Sequence, residues 1–191
     1  AGNEDATVVI EGTTPEFQEL YKFEIASGRF ITEVDIARRD MVVVLGNTTA
    51  EDLFDSGEAV GQQIKMRDKR FTVIGVLEPR GMSSFGFSWD EMVITPITTM
   101  QARLFSQKTP SGEDAVNSIV VQVASREALD EVKAEIENLL RKRHRIGEGQ
   151  DNDFSVIGLE QLMGTFETIT LALTVFLGMI GGISLIVGSI G

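Results

Sequence analysis

Short apolar runs punctuated by glycine and proline fill the first half of the chain. Residues 6–11 predict a strand. Thr14 is placed to cap a short helix, with Pro15 at its first position, that runs to about Lys22; Gly28 then breaks the chain. Residues 41–45 (MVVVL) form an unbroken apolar run short enough for a buried strand. Gly46 ends that run, and Asn47 is placed to cap a helix ending near Phe54. Residues 63–66 and 71–77 read as the two arms of a hairpin turning at Arg67-Asp68-Lys69-Arg70. Gly75 inside the second arm predicts a bulge or a close backbone approach. Residues 92–95 read as a strand stopped by Pro96, and 98–105 suit a short helix.

After a polar linker at 107–117, the pattern changes. Residues 118–123 alternate, with Ile119, Val121 and Val123 on one face, and predict a strand. Ser125 is placed to cap a helix reaching His144, with Leu129, Val132, Ile136, Leu139 and Leu140 as its apolar stripe. Glu127, Asp130 and Glu131 lie at its start and Arg141 to Arg145 (RKRHR) at its end, an order that complements the helix dipole. Glu137 and Arg141 stand at i,i+4 spacing. Residues 154–158 read as a returning strand, completing a β-α-β unit.

The connector 159–168 is a candidate helical stalk, with Leu159, Leu162, Met163 and Phe166 on one side. Residues 169–191 then carry no Asp, Glu, Lys or Arg. As a helix they would reach about 35 Å, against a hydrocarbon core of about 30 Å, so a transmembrane helix is expected. Gly178, Gly181, Gly182 and Ser189 fall within about 100° of one face. The Gly178-x-x-x-Gly182 spacing makes them candidate helix-packing positions. Beyond Arg145 there is no Lys or Arg, which places the flank of this helix outside the cytoplasm.

Composition sharpens this division. The 191 residues hold 29 acidic and 17 basic side chains, a net charge of -12, one His and no Cys. Mean hydropathy is nevertheless +0.06, because every charge lies before Thr168. The balance excludes a basic nucleic-acid binder, a disulfide-stapled mini-protein and a disordered acidic tail. The chain starts at Ala1 without a signal peptide and stops inside an apolar run, so it reads as a fragment of something longer.

Candidate chemistry is sparse. The Gly/Ser-rich loop 79–90 holds Met82, Phe85, Phe87 and Trp89, a candidate partner-binding tip unless the loop folds back and buries them. RKRHR reads as a solvated helix end, and a lone His144 among cations is a poor base and cannot hold zinc unaided. Asp151-Asn152-Asp153 lacks the turn Gly and distal Glu of a calcium loop. There is no P-loop, no G-x-S-x-G elbow and no thiol. No catalytic, cofactor-binding or metal-binding residue is expected in this chain.

Several stretches carry a family likeness. Gly12-Thr13-Thr14-Pro15-Glu16-Phe17 is followed by Gly28-Arg29-Phe30. Val42-Val43-Val44-Leu45-Gly46, Ala50-Glu51-Asp52-Leu53-Phe54, Val60-Gly61-Gln62-Gln63-Ile64 and Phe71-Thr72-Val73-Ile74-Gly75-Val76-Leu77 follow in order, then Ile94-Thr95-Pro96-Ile97-Thr98-Thr99. Phe176-Leu177-Gly178 and the run 183–191 complete the set. In this order the chain resembles the permeases of MacB-type ABC transporters, related to the FtsX and lipoprotein-release permeases. It departs at the hairpin turn, where Gly is common in the family, and at Ala59, where Pro is common.

The resemblance implies an α+β fold. A porter-like subdomain would combine residues 1–27 and 117–158, with a β-rich sabre-like subdomain, 28–116, inserted between them. The stalk and the transmembrane helix would follow. It implies a cell-membrane location with residues 1–167 extracytoplasmic, and a dimer with a second permease copy. ATP and magnesium would sit on a partner ATPase domain or subunit. The resemblance further implies a periplasmic adaptor and an outer-membrane channel as partners, and export of a drug, peptide or lipid-linked substrate by transmitted motion. The alternative is an FtsX-like scaffold that recruits an extracytoplasmic protein without transport. A tethered enzyme is disfavoured for want of catalytic residues.

Overall fold

The computed structural model describes residues 8–54, 58–83, 86–109, 112–158 and 169–181. The chain divides into two compact units, 1–120 and 121–191.

The first unit is built on one mixed sheet. Its strands are β1 (Val9–Thr13), β2 (Ile25–Gly28), β3 (Val42–Leu45), β4 (Gln63–Met66), β5 (Lys69–Leu77) and β6 (Met92–Pro96). The order is β1-β6-β3-β5-β2, with β4 also paired to β5. β1 runs parallel to β6 and β3 parallel to β5; the other pairs are antiparallel. Helices α1 (Glu16–Tyr21), α2 (Glu33–Arg38), α3 (Asn47–Phe54) and α4 (Ile97–Thr99) pack around the sheet, and α4 continues as a π-type turn over Met100–Leu104.

The unbroken apolar run at β3 has a direct cause: the sheet is covered on both faces. Val43, Leu45, Phe71, Val73 and Val93 belong to one core. Val44, Leu77, Met92, Ile94, Phe30 and Trp89 belong to the other. Successive residues of β3 and β6 feed opposite cores, as strand geometry requires.

The hairpin forms as expected, with a tight two-residue turn. Arg67 and Asp68 both take positive φ, 44° and 64°, and Met66 pairs with Lys69. Both expectations for Gly75 hold. The β3–β5 register slips between Val43 and Val44, which face Val73 and Gly75. A Cβ on Gly75 would lie 2.3 Å from the Arg29 carbonyl oxygen.

The division expected from the sequence falls at 27/28 and 116/117. β1 and β2, from the first 28 residues, lie in the same sheet as β3 to β6. The reason is packing: Val8 and Ile10 rest on one core, while Phe17, Tyr21 and Ile25 rest on the other.

The expected strands at 118–123 and 154–158 are corrected. Neither belongs to a strand, because neither finds a partner edge among the described residues. An isolated strand leaves its backbone groups to water and gains no ladder. Ile119, 69% exposed, shows the consequence.

The second unit holds the long helix α5 (Leu129–His144). Residues 169–181 are helical as well. Among the described residues no helix is long and apolar enough to cross a membrane. The rest of the expected membrane helix, 182–191, and the whole connector lie outside the described residues.

Candidate functional site

Loop 79–90 is the first candidate site, and its structure follows from Asp90. The Arg80 and Gly81 backbone N–H groups each donate to the Asp90 carboxylate at 2.7 Å. Trp89 N–H donates to Gly81 C=O at 3.1 Å and Ser83 N–H to Phe87 C=O at 2.7 Å. Met82 and Ser88 bridge antiparallel inside this frame. The loop is therefore a small stapled hairpin.

Its aromatic residues divide. Trp89 is 9% exposed and belongs to the core. Its ring lies 5.1 Å from Phe23 and from Tyr21, and 4.7 Å from Phe87 edge-on. Offset and edge-to-face contacts of this kind favour burial of the cluster. The Arg80 guanidinium lies over the Phe23 ring at 5.1 Å and donates to the Tyr21 carbonyl. Of the two alternatives for this loop, Trp89, which is core, and Phe87, which is half-buried, follow the one in which it folds back. The cause is the apolar surface offered by α1 and Phe23. Met82 remains at the surface, 68% exposed. Phe85 lies outside the described residues.

A second feature escaped the sequence reading. Arg29, just after β2, reaches Asp35 in the first turn of α2. Nη1 donates to Oδ2 at 2.6 Å and Nη2 to Oδ1 at 2.9 Å. Thr32 donates to the same carboxylate from its N–H at 2.8 Å and its hydroxyl at 2.6 Å. The Arg29 hydrogen bonds, with those from Thr32, hold Asp35 down to about 2 despite burial that opposes it. The signal was present as Thr32-x-x-Asp35, a capping spacing.

In the second unit, α5 and the chain after it form a clasped return. Arg145 takes positive φ, and Ile146 N–H donates back to Arg141 C=O at 2.9 Å, which ends the helix. Arg141 then donates to Gly147 C=O at 2.7 Å, to Gln150 C=O at 3.0 Å and to Asn152. Asn152 donates to Glu137 at 2.7 Å. Asn152 therefore stands between the two charges whose spacing suggested a direct pair. His144 meets Asp153 at 2.8 Å and Phe154 edge-on.

Gly158 has travelled back to the opposite end of α5: a Cβ there would lie 2.7 Å from Lys133 Nζ and 3.7 Å from Leu129. The chain therefore leaves for the connector beside the first turns of α5, roughly 12–18 Å along the helix from Arg141, where RKRHR begins. Arg141 and His144 are thus partly spent on the clasp, and their cationic end lies far from that exit.

The stalk residues Leu159, Leu162, Met163 and Phe166 lie outside the described residues, as do Gly182 and Ser189. Gly178 and Gly181 are described; a Cβ on either would meet nothing within 4 Å. No group of acidic or histidine side chains suited to a metal ion occurs among the described residues.

The chain belongs to the family of MacB-like periplasmic core domains, which it matches over residues 1–139. It is 36% identical over 188 residues to the macrolide export ATP-binding/permease protein MacB of Rhodospirillum rubrum, covering 98% of this chain and 27% of that protein. Against the MacB of Marinobacter nauticus the identity is 33%, over 99% of this chain and 28% of that protein. The chain thus spans little more than a quarter of these relatives.

Two solved structures share the fold. One is the extracellular domain of the noncanonic ABC-type transporter YknZ from Gram-positive bacteria, with a TM-score of 0.63 and 20% identity. That match covers 78% of this chain and 71% of the YknZ domain. The other is the periplasmic region of MacB from Actinobacillus actinomycetemcomitans, with a TM-score of 0.62 and 20% identity. It covers 87% of this chain and 69% of that region.

Proposed function

We propose that this chain is part of the extracytoplasmic domain of an ABC transporter permease in the cell membrane. In the full protein, ATP hydrolysis on a cytoplasmic ATPase domain or subunit moves the membrane helices. The extracytoplasmic domain follows and drives export of a drug, peptide or lipid-linked substrate. One observation carries the reading: a MacB-like core domain runs within a single chain into the uncharged stretch 169–191, whose described part, 169–181, is helical. A domain continuous with such a segment is held at the membrane surface.

The roles divide along the chain. Residues 169–191 form the first membrane helix after the domain, and Gly178, Gly181, Gly182 and Ser189 admit a neighbouring helix of the bundle. Residues 159–168 form the stalk. ATP and magnesium belong to the ATPase, and a second permease copy completes the dimer. A periplasmic adaptor and an outer-membrane channel would extend the path in a two-membrane cell. Met82, on its stapled hairpin, offers a contact to such an extracytoplasmic partner.

Accumulation of a labelled substrate in cells expressing the full-length protein tests the proposal. Loss of efflux when the extracytoplasmic domain is deleted supports it. Unchanged efflux contradicts it. Loss of a bound extracytoplasmic protein with no efflux activity to begin with would favour the scaffold reading instead.

A further inference from the structure

The turn of the β4–β5 hairpin gathers positive charge on an acidic unit. Residues 1–120 hold 19 acidic and 11 basic side chains, yet residues 65–70 (KMRDKR) hold four basic and one acidic. Lys65 and Arg70 are paired directly across the two strands. Ile64, Met66 and Phe71 pack in the core, so by alternation Lys65 and Arg70 share the opposite face, where both are exposed. Like charges set directly opposite in a hairpin, about 5 Å apart, destabilise it. The turn adds a second cost, because Arg67 takes φ of 44° without being glycine.

Two ties hold the tip in this form. The Arg67 guanidinium lies 3.8 Å over the Phe105 ring and donates to Leu104 C=O at 3.0 Å. Asp68 pairs with Lys65 at 2.7 Å, with both side chains well exposed. The side chains of Lys69, Arg70 and Arg103, the last next to Leu104, have no hydrogen-bond or ion-pair partner among the described residues. The tip is thus a rigid, cationic projection whose charges the hairpin itself does not neutralise.

We propose that this tip docks an acidic segment of another protein, with a carboxylate seated between Lys65 and Arg70. A carboxylate there turns the cross-strand repulsion into a bridge, and the guanidinium offers it two parallel donors. Lys69 and Arg103 extend the positive field around the turn. Because Arg67 already fixes the backbone, little ordering is left to oppose binding. The charge balance favours a narrow acidic segment over an anionic membrane. A flat anionic surface would meet much of a unit with 19 acidic and 11 basic side chains and be repelled, whereas a segment meets the tip alone. The inference rests on the hairpin and does not depend on transport.

The test uses the full-length protein with a fluorescent oligo-glutamate peptide as probe, read by anisotropy. Binding should weaken as salt is raised. Arg70→Glu should weaken it about tenfold or more, while Arg70→Lys keeps most of it. Arg143→Glu, in the other cationic cluster, should change it less than about twofold. Arg70→Glu also removes the repulsion with Lys65, so amide exchange across residues 63–72 should slow about two- to fivefold. Lost binding with a firmer hairpin separates docking from folding. No peptide binding, an equal loss with Arg143→Glu, faster exchange in Arg70→Glu, or an Arg70-dependent capture of phosphatidylglycerol vesicles in place of the peptide overturns the inference. None of these readouts involves efflux, so failure here and failure of the export reading are distinguishable.

Discussion

Arg29 and Asp35 are joined twice, guanidinium to carboxylate, at 2.6 and 2.9 Å. Asp35 is 2% exposed, whereas the Arg29 side chain is half in solvent. The pair fixes the exit of β2 to the first turn of α2. Because the folded Asp35 titrates at about 2 against an ordinary 3.8, the unfolded chain takes up the proton first on acidification. Its contribution is therefore whole above about pH 4 and is lost as pH falls toward about 2. Asp35→Asn should lower stability by on the order of 1–2 kcal/mol at pH 7, discounted for the exposed Arg29. Urea unfolding at pH 7 and pH 2.5 checks it: the gap between wild type and variant should shrink at the lower pH.

Gly75 is required by a backbone approach. A Cβ would meet the Arg29 carbonyl at 2.3 Å, and neither strand can yield without losing ladder bonds. Gly75→Ala should cost about 2–4 kcal/mol in urea unfolding. A cost below about 0.5 kcal/mol would show that the β2–β5 contact is looser than described.

Much of the first unit was legible from the sequence. The apolar run at 41–45, the hairpin with its charged turn, the bulge glycine and the proline stop at Pro96 each have a local cause. The misses were not local. Whether residues 118–123 form a strand depends on a partner edge, which the local pattern does not reveal. Whether Trp89 points outward depends on α1 and Phe23, more than 60 positions away. β2 and α2 were missed because their apolar residues are few and are held by one ion pair, which periodicity does not reveal. Of the loop residues singled out in the sequence, Met82 is the one described member that the core leaves exposed.

The two ends of loop 79–90 should respond differently. Trp89→Ala removes a side chain packed on Phe23, Tyr21 and Phe87 and should cost about 3–5 kcal/mol. Met82→Ala should leave the unfolding midpoint within about 0.5 kcal/mol, while weakening any extracytoplasmic partner in a pull-down. Equal destabilisation by both changes would remove Met82 as a contact residue.

Asp68 takes φ of 64° at the hairpin turn, a region that favours glycine. The exposed pair with Lys65 at 2.7 Å offers little to offset this. Asp68→Gly should raise the melting temperature by about 2–4 °C, read by circular dichroism. A fall would mean that the turn is held chiefly by that pair.

Under the proposed function, motion passes between the extracytoplasmic domain and the membrane through residues 159–168. The direct measurement places a flexible Gly-Ser insertion there in the full-length protein and records ATP hydrolysis and substrate export together. A flexible linker cannot transmit a tilt as a short stiff one does. Hydrolysis should stay near the wild-type rate while export falls at least tenfold. Export that continues unchanged beside normal hydrolysis would contradict it.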